Sequence, residues 1–243
     1  MKKFLLISML ALIGFAAQSQ VLITLLLGDK LNSPGLEFGL EGGANWSKVS
    51  GIDADDFLTT FNLGFYFDIR IKNQLSLYTG VLVKANSGVE KMSDNDLTKL
   101  GATFYKDQTG TRVEGDYRHR MSYFWVPILF KYKLKNQIHF DIGPQLGLMY
   151  KSWIEFNSDI DGRDAIIKEY NRGQINKIDA GITVGMGYRM LKGTGWTLSF
   201  KYYYGFVDVY KDIKGTKNSA IFAEMCIPIG AGKKPEKKNK TDN

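Results

Sequence analysis

Strict alternation is the feature that most limits what this chain folds into. Residues 61–70 read FNLGFYFDIR, and successive side chains of a strand point to opposite faces. Phe61, Leu63, Phe65, Phe67 and Ile69 therefore share one face, while Asn62, Gly64, Tyr66, Asp68 and Arg70 share the other. Two architectures satisfy that pattern in opposite senses. A soluble β-protein buries the phenylalanines and wets Asp68 and Arg70. A barrel in a bilayer turns the phenylalanines to lipid and keeps the charges inside.

The period of two returns along the rest of the chain. In 36–46, Leu36, Phe38, Leu40, Ala44 and Trp46 oppose Glu37, Glu41 and Asn45. In 74–84, Leu75, Leu77, Val81 and Val83 oppose Gln74, Ser76, Tyr78 and Lys84. Phe124, Val126, Ile128, Phe130, Tyr132 and Leu134 align in 123–134, and Ile138, Phe140, Ile142, Leu146 and Leu148 oppose His139, Asp141 and Gln145 in 137–150. Segments 178–190, 196–206 and 218–229 continue it: Ile182, Val184 and Met186 oppose Asp179, Thr183 and Arg189; Leu198, Phe200 and Tyr202 oppose Thr197, Ser199 and Lys201; Ile221, Met225 and Ile227 oppose Asn218 and Glu224. With 61–70 this makes eight strands and no second domain.

The connections decide the sense of the faces. Short turns at Lys72-Asn73, Lys135-Asn136 and 192–195 alternate with long polar loops at 47–58, 88–116, 157–174 and 208–217. An up-and-down barrel of the outer membrane sorts its periplasmic turns and outer loops in this way; a lipocalin-like soluble barrel has no reason to. The apolar faces run for about ten residues, the span of a tilted transmembrane strand. Aromatics gather near their ends (Trp46, Tyr132, Tyr150, Tyr188, Trp196, Phe206) as two interfacial girdles. The other face mixes charges with glycines, which suits the narrow interior of an eight-stranded barrel. The fold class is therefore an all-β, eight-stranded antiparallel up-and-down transmembrane β-barrel over 36–230, located in the outer membrane.

The ends are read separately. Residues 1–19 have a charged start, an apolar run from Phe4 to Ala17 and small residues at Ala17 and Ser19, the order of a secretory signal peptide; the alternative is an uncleaved anchor lengthened by VLITLLL. Residues 20–35 form an N-terminal periplasmic segment, expected as a short helix at the barrel base, with a plug or a half-strand as alternatives. Residues 231–243 read as a disordered basic tail, either a solubilising end or a contact for anionic lipid or a periplasmic partner. The net charge of +7 sits mostly at these ends: setting aside Lys2, Lys3 and the net +3 of the tail leaves +2. No basic stripe remains on the body to bind nucleic acid. The single cysteine, Cys226, excludes an internal disulfide and a cysteine-based zinc cage.

At this point QVLITLLLGDKLNSPGLEFGLEGGANWS, VPILFKYKL, DIGPQLGL, GITVGMGYRM and KYYYGFVDV resemble the PorT-like outer-membrane β-barrel proteins of Bacteroidetes, over nearly the whole mature chain. The resemblance implies the barrel fold and outer-membrane location, and an association of some members with type IX protein secretion. It carries no catalytic residue over. The usual terminal aromatic is absent, fourteen residues following Ile229.

The candidate site is the set of inward ionisable residues. Glu41, Lys201 and Glu224 fall near the middle of strands that become neighbours when the last strand closes on the first. Isolated charges at that depth are costly, so a Glu41–Lys201–Glu224 cluster is predicted, with Glu37, Asp68, Arg70, Asp141, Asp179 and Arg189 in flanking layers. A polar plug that fixes the fold is the plain reading of this set, and a narrow ion or solute path the functional one. Enzymatic chemistry has little support: His119 falls toward the outer rim and His139 toward the periplasmic end, too far apart to share a site. Asp159, Asp161 and Asp164 lack the Glu that closes a calcium loop, and Asp53, Asp55 and Asp56 read equally as a solvated turn. No cofactor is expected. The expected partners are outer-membrane lipid and proteins at the outer loops or periplasmic ends.

Overall fold

The computed structural model describes residues 33, 35–160 and 163–229. The predicted signal peptide, nearly all of the 20–35 segment with its short helix, and the tail lie outside the described residues.

Among the described residues nine antiparallel strands follow one another: β1 Leu36–Val49, β2 Ala54–Arg70, β3 Leu75–Met92, β4 Asp116–Lys133, β5 Ile138–Ile160, β6 Arg163–Tyr170, β7 Ile178–Arg189, β8 Thr197–Asp208 and β9 Lys217–Pro228. Eight of them make the ring β1-β2-β3-β4-β5-β7-β8-β9, closed where β9 pairs with β1 from Gly39↔Pro228 to Val49↔Asn218. The ninth, β6, folds back on the far end of β5, from Trp153↔Tyr170 to Ile160↔Arg163.

The faces take the membrane sense. Phe61, Leu63 and Ile69 are exposed on the outer wall, whereas Asn62, Tyr66 and Asp68 are buried inside. On β5, Phe140, Ile142, Leu146 and Leu148 are exposed and His139, Asp141 and Gln145 are buried. Tyr132, Tyr188 and Trp196 are exposed at one end of the apolar band and Tyr150 and Phe206 at the other. From Phe140 to Tyr150 the band spans eleven residues, about 25 Å tall for strands tilted near 40°.

The strands outrun their predicted ends. The expected loops at 47–58 and 157–174 are largely strand and 88–116 is strand only at its ends, because β1 to β6 continue past the apolar band with Leu58, Val89, Tyr117, Ile154 and Phe156 turned inward. Two irregularities also shift the alternation. Between Leu82 and Ala85 the β3–β4 register slips, so Lys84, expected on the inner face, is exposed. On β5, Tyr150 is the extra residue between Met149↔Tyr123 and Lys151↔Ser122, and both Tyr150 and Lys151 are exposed.

Inner-wall glycines admit rings at close approach. A Cβ on Gly147 would lie 2.5 Å from the ring of Trp125, its partner across β4–β5, and one on Gly39 would lie 2.5 Å from the ring of Tyr66 across β1–β2. Each glycine is the floor on which an aromatic ring lies inside a tightly curved sheet.

A six-residue helix, α1 (Asp94–Lys99), covers the outer mouth. Ser93 caps it by accepting the Asp96 N–H at 3.2 Å, with Asp94 and Asp96 in the first turn and Lys99 at the end suiting the helix dipole. So short a helix is held by packing: Leu97, and Leu100 just beyond it, are buried in the cluster that includes Val49, Ile52, Val89 and Tyr210.

Candidate functional site: a barrel interior in two tiers

The interior was expected to be polar throughout; its ion pairs gather in the periplasmic half, while the outer half is mainly aromatic and apolar. That tier is built from inward positions of β1, β2, β3, β4, β5, β7, β8 and β9. Register places Glu41 opposite Cys226 and Gly43 opposite Glu224 across β1–β9, and Ser199 opposite Glu224 across β8–β9. Lys201 reaches into that corner. Its Nζ lies 2.8 Å from Glu224 Oε2 and 3.6 Å from Glu41 Oε2, with all three residues buried. Tyr78 joins them: its hydroxyl donates to Glu41 Oε2 and accepts from Lys201 Nζ at 3.3 Å. Two ammonium groups approach the Tyr78 ring, Lys131 at 4.1 Å and Lys201 at 4.3 Å from its centroid, which suits the negative charge of a π-face.

The flanking layers are closer to the periplasm. Arg189 Nη2 pairs with Glu37 Oε2 at 2.7 Å, and Tyr66 donates to Glu37 Oε1 at 3.0 Å. Asp68 Oδ2 receives Lys131 at 3.2 Å and Lys133 at 3.0 Å. Asp141 has His139 Nε2 at 3.5 Å, and neither of its carboxylate oxygens has a hydrogen-bond partner among the described residues. A cavity of about 20 Å³ between Glu37, Asp68, Lys131, His139 and Arg189 has room for one water.

Two of the predicted residues stand apart. Arg70 shares the inward parity but is the last residue of β2; it lies exposed on the periplasmic rim, and the ion pairs of the described residues do not include it. Asp179 is buried in the outer half, held by Tyr203 at 2.9 Å and Asn218 Nδ2 at 2.6 Å rather than by a cation. Sequence reasoning missed Lys131 and Lys133, although both fall on inward positions between the outward Phe130, Tyr132 and Leu134.

The outer tier is mainly apolar and aromatic, with Asp179, Asn218, His119, Ser152 and Asn171 hydrogen-bonded among the rings. Tyr123 stacks on Trp125 with ring centroids 4.6 Å apart, and Tyr203 meets Trp125 edge-on at 4.8 Å. Phe222, Met121, Met149 and Ala220 fill the space around them. The outward groove at the β1–β9 seam, about 490 Å³ over Gly42 and Ala223, lies on the outer wall and not in this lumen.

The two histidines are in different tiers. His119 Nδ1 lies 2.7 Å from the Tyr210 hydroxyl and its Nε2 lies 2.9 Å from Ser152 Oγ. That pairing has the outline of a base beside a nucleophile, but His119 and Ser152 are fully buried, and the Ser152 hydroxyl donates to Asn171 Oδ1 at 2.7 Å. No solute reaches the serine. Of the aspartates considered for a metal, Asp56 pairs with Lys91 at 2.6 Å, and Asp53 donates its backbone N–H to Asp96 Oδ2 at 2.6 Å. The side chains of Asp55, Asp159 and Asp164, and Asp161 entirely, lie outside the described residues.

Comparison with known proteins agrees with this architecture. No curated protein matches the chain. Among solved structures it is similar to Neisserial surface protein A, at 14% identity over 79% of this chain and 98% of that one, with a TM-score of 0.43. It is similar to Ail, the attachment invasion locus protein of Yersinia pestis, at 10% identity over 81% of this chain and 100% of that one, with a TM-score of 0.41. OprG of Pseudomonas aeruginosa is similar at 12% identity over 80% and 93%, with a TM-score of 0.31. The family model for the outer membrane protein beta-barrel domain matches residues 17–211. An antiparallel ring with an apolar outer wall and a charged, filled interior thus belongs to the outer membrane, and the chain is a member of the outer membrane protein β-barrel domain family.

Proposed function

We propose that this outer-membrane barrel is a non-conducting interaction protein, accessory to protein secretion or surface assembly, that works through its outer rim and periplasmic ends rather than through its lumen. One observation carries the reading. The bore is occupied along its length, by ion pairs at the periplasmic end and by Tyr123, Trp125, Tyr203 and Phe222 beyond them, with α1 over the mouth. An eight-stranded barrel has an interior only wide enough for side chains. The extended walls of β3 to β6 instead offer ordered surface outside the membrane. The resemblance to PorT-like proteins is what favours secretion among the roles open to such a surface. No catalytic role is assigned.

Single-channel recording in a planar bilayer is the direct test. No current above background is expected from the refolded chain; discrete, reproducible conductance steps would replace this reading with that of a narrow pore. For the secretion role, a deletion strain should retain cargo that the parent strain exports, and unchanged export would remove that part of the proposal.

A further inference from the structure

Just beyond the apolar band, the outer wall of β4, β5 and β6 carries a cluster of cations that the lumen does not use. Register aligns Arg120, Trp153 and Tyr170 in one row, Arg118, Glu155 and Lys168 in the next, and Lys151 beside Ser122 in the row below. Glu155 is the carboxylate at the centre, and it is outnumbered. Arg120 Nε lies 3.5 Å from it, Arg118 Nη1 3.8 Å and Lys168 Nζ 3.8 Å, all longer than a tight charged hydrogen bond. Glu90 takes a share of Arg118 at 3.4 Å. Lys151 meets rings instead, 5.2 Å from the Trp153 centroid and 5.3 Å from that of Tyr170. Four cations meet two carboxylates within ion-pair reach, and with Asp116 one row further out on the same face a local excess of one positive charge remains. The buried Nε atoms of Arg118 and Arg120 also lack hydrogen-bond partners among the described residues.

The height of the cluster identifies what it meets. Phe124 and Tyr150, stacked 4.7 Å apart and both exposed, mark the upper girdle immediately below Lys151. Beneath them Leu148 and Ile178, register partners, are exposed at 53% and 63% and face acyl chains. A cation cluster one to five residues above a girdle sits at the level of lipid head groups, where planar guanidinium groups suit phosphate oxygens. We infer that the wall formed by Arg118, Arg120, Lys151 and Lys168 is a binding site for the phosphate of an anionic outer-leaflet lipid, whose acyl chains lie on Leu148 and Ile178. The apolar wall directly below the cations is what selects a lipid over a free anion or an acidic peptide.

The test is native mass spectrometry of the refolded full chain in detergent, titrated with doubly phosphorylated lipid A and with the same lipid stripped of its phosphates. The variant Arg120→Gln/Lys151→Gln/Lys168→Gln is compared with Lys211→Gln/Lys214→Gln in the loop after β8, folding being checked by the mobility shift on boiling. At about fivefold per cation near a charged lipid surface, the triple variant should bind the phosphorylated lipid about a hundredfold more weakly, with the loop variant unchanged. The stripped lipid should bind the native chain as weakly as the triple variant binds the phosphorylated one. Equal affinity of the triple variant, or equal binding of the stripped lipid, would overturn the site. Displacement of the lipid by millimolar inorganic phosphate or by an acidic peptide would overturn the choice of a lipid. If the triple variant shows no heat shift, Lys151→Gln alone decides, since Lys151 is exposed and makes no ion pair with Glu155: about fivefold weaker binding is expected, and none lost overturns the proposal.

Discussion

The two halves of the lumen share the same eight walls and are filled by opposite chemistries. In the periplasmic half, Glu37, Glu41, Asp68, Asp141 and Glu224 face Lys131, Lys133, Arg189 and Lys201. In the outer half, Tyr123, Trp125, Tyr203 and Phe222 pack as a soluble core would. The outer filling depends on volume, and its parts fail singly. The inner filling depends on charge balance, and losing one member strands its partners in a place where water does not replace it. The contrast shows that a narrow barrel is closed equally well by either means, but is sensitive to different substitutions along its axis.

Urea unfolding of the refolded protein in detergent puts numbers on that contrast. Lys201→Met should cost most, about 3–5 kcal/mol, because Glu41 and Glu224 remain buried without their cation. Adding Glu224→Gln to it should restore part of the loss, and an additive double variant would show that the inner tier is not a coupled network. Trp125→Ala should cost about 3 kcal/mol as a cavity, with no rescue from a second charge change; a loss under about 1 kcal/mol would mean the outer tier is loosely packed. Arg189→Gln, inside the half-open periplasmic end, should cost about 2 kcal/mol, and Arg70→Gln, exposed on the rim of that same end, no more than about 0.5. A larger effect at Arg70 than at Arg189 would invert the assignment of which arginine belongs to the lumen.

The smallest effect lies outside both tiers. Arg112 holds Asp94 through paired hydrogen bonds of 2.5 and 2.7 Å, and these keep the Asp94 carboxyl below the usual carboxylate range. A depressed folded-state pKa contributes stability above the unfolded value and loses it as pH falls through the folded one. Proteolysis of the 93–115 connection should therefore quicken on acidification, in the range below the ordinary carboxylate pKa. Asp94→Asn should remove that pH dependence while leaving the heat shift of the barrel intact.

Much of this is legible from alternation. The eight spans, the outward phenylalanines and the meeting of Glu41, Lys201 and Glu224 come from parity, strand order and depth. The strand extensions are not legible, because beyond the bilayer the outer face turns from lipid to water while the inner face becomes apolar (Val89, Tyr117, Ile154, Phe156), so the outward-apolar, inward-polar contrast that marks the spans is lost. Lys84 escapes the parity rule since one extra residue in β3 reverses the faces of the residues after it, and nothing in GVLVKANSG announces it. The aromatic tier is hidden for a different reason: Tyr123, Trp125 and Tyr203 stand among equally aromatic outward neighbours, so composition does not separate the faces. Lys131 and Lys133 are readable from the alternation that places Phe130 and Tyr132.

The ion triad straddles the seam. Glu41 stands on the first strand of the ring, Glu224 on the last and Lys201 on the strand before it. Residues 41 and 224 come together only when the two ends of the sheet find each other, the pairing with the greatest loop-closure entropy against it. A seam slipped by one residue reverses the faces of the slipped strand and turns a carboxylate toward hydrocarbon. In the native register both carboxylates reach the same ammonium. The charges of the triad are matched in one alignment of the closed ring, and an open sheet leaves them apart at its free edges.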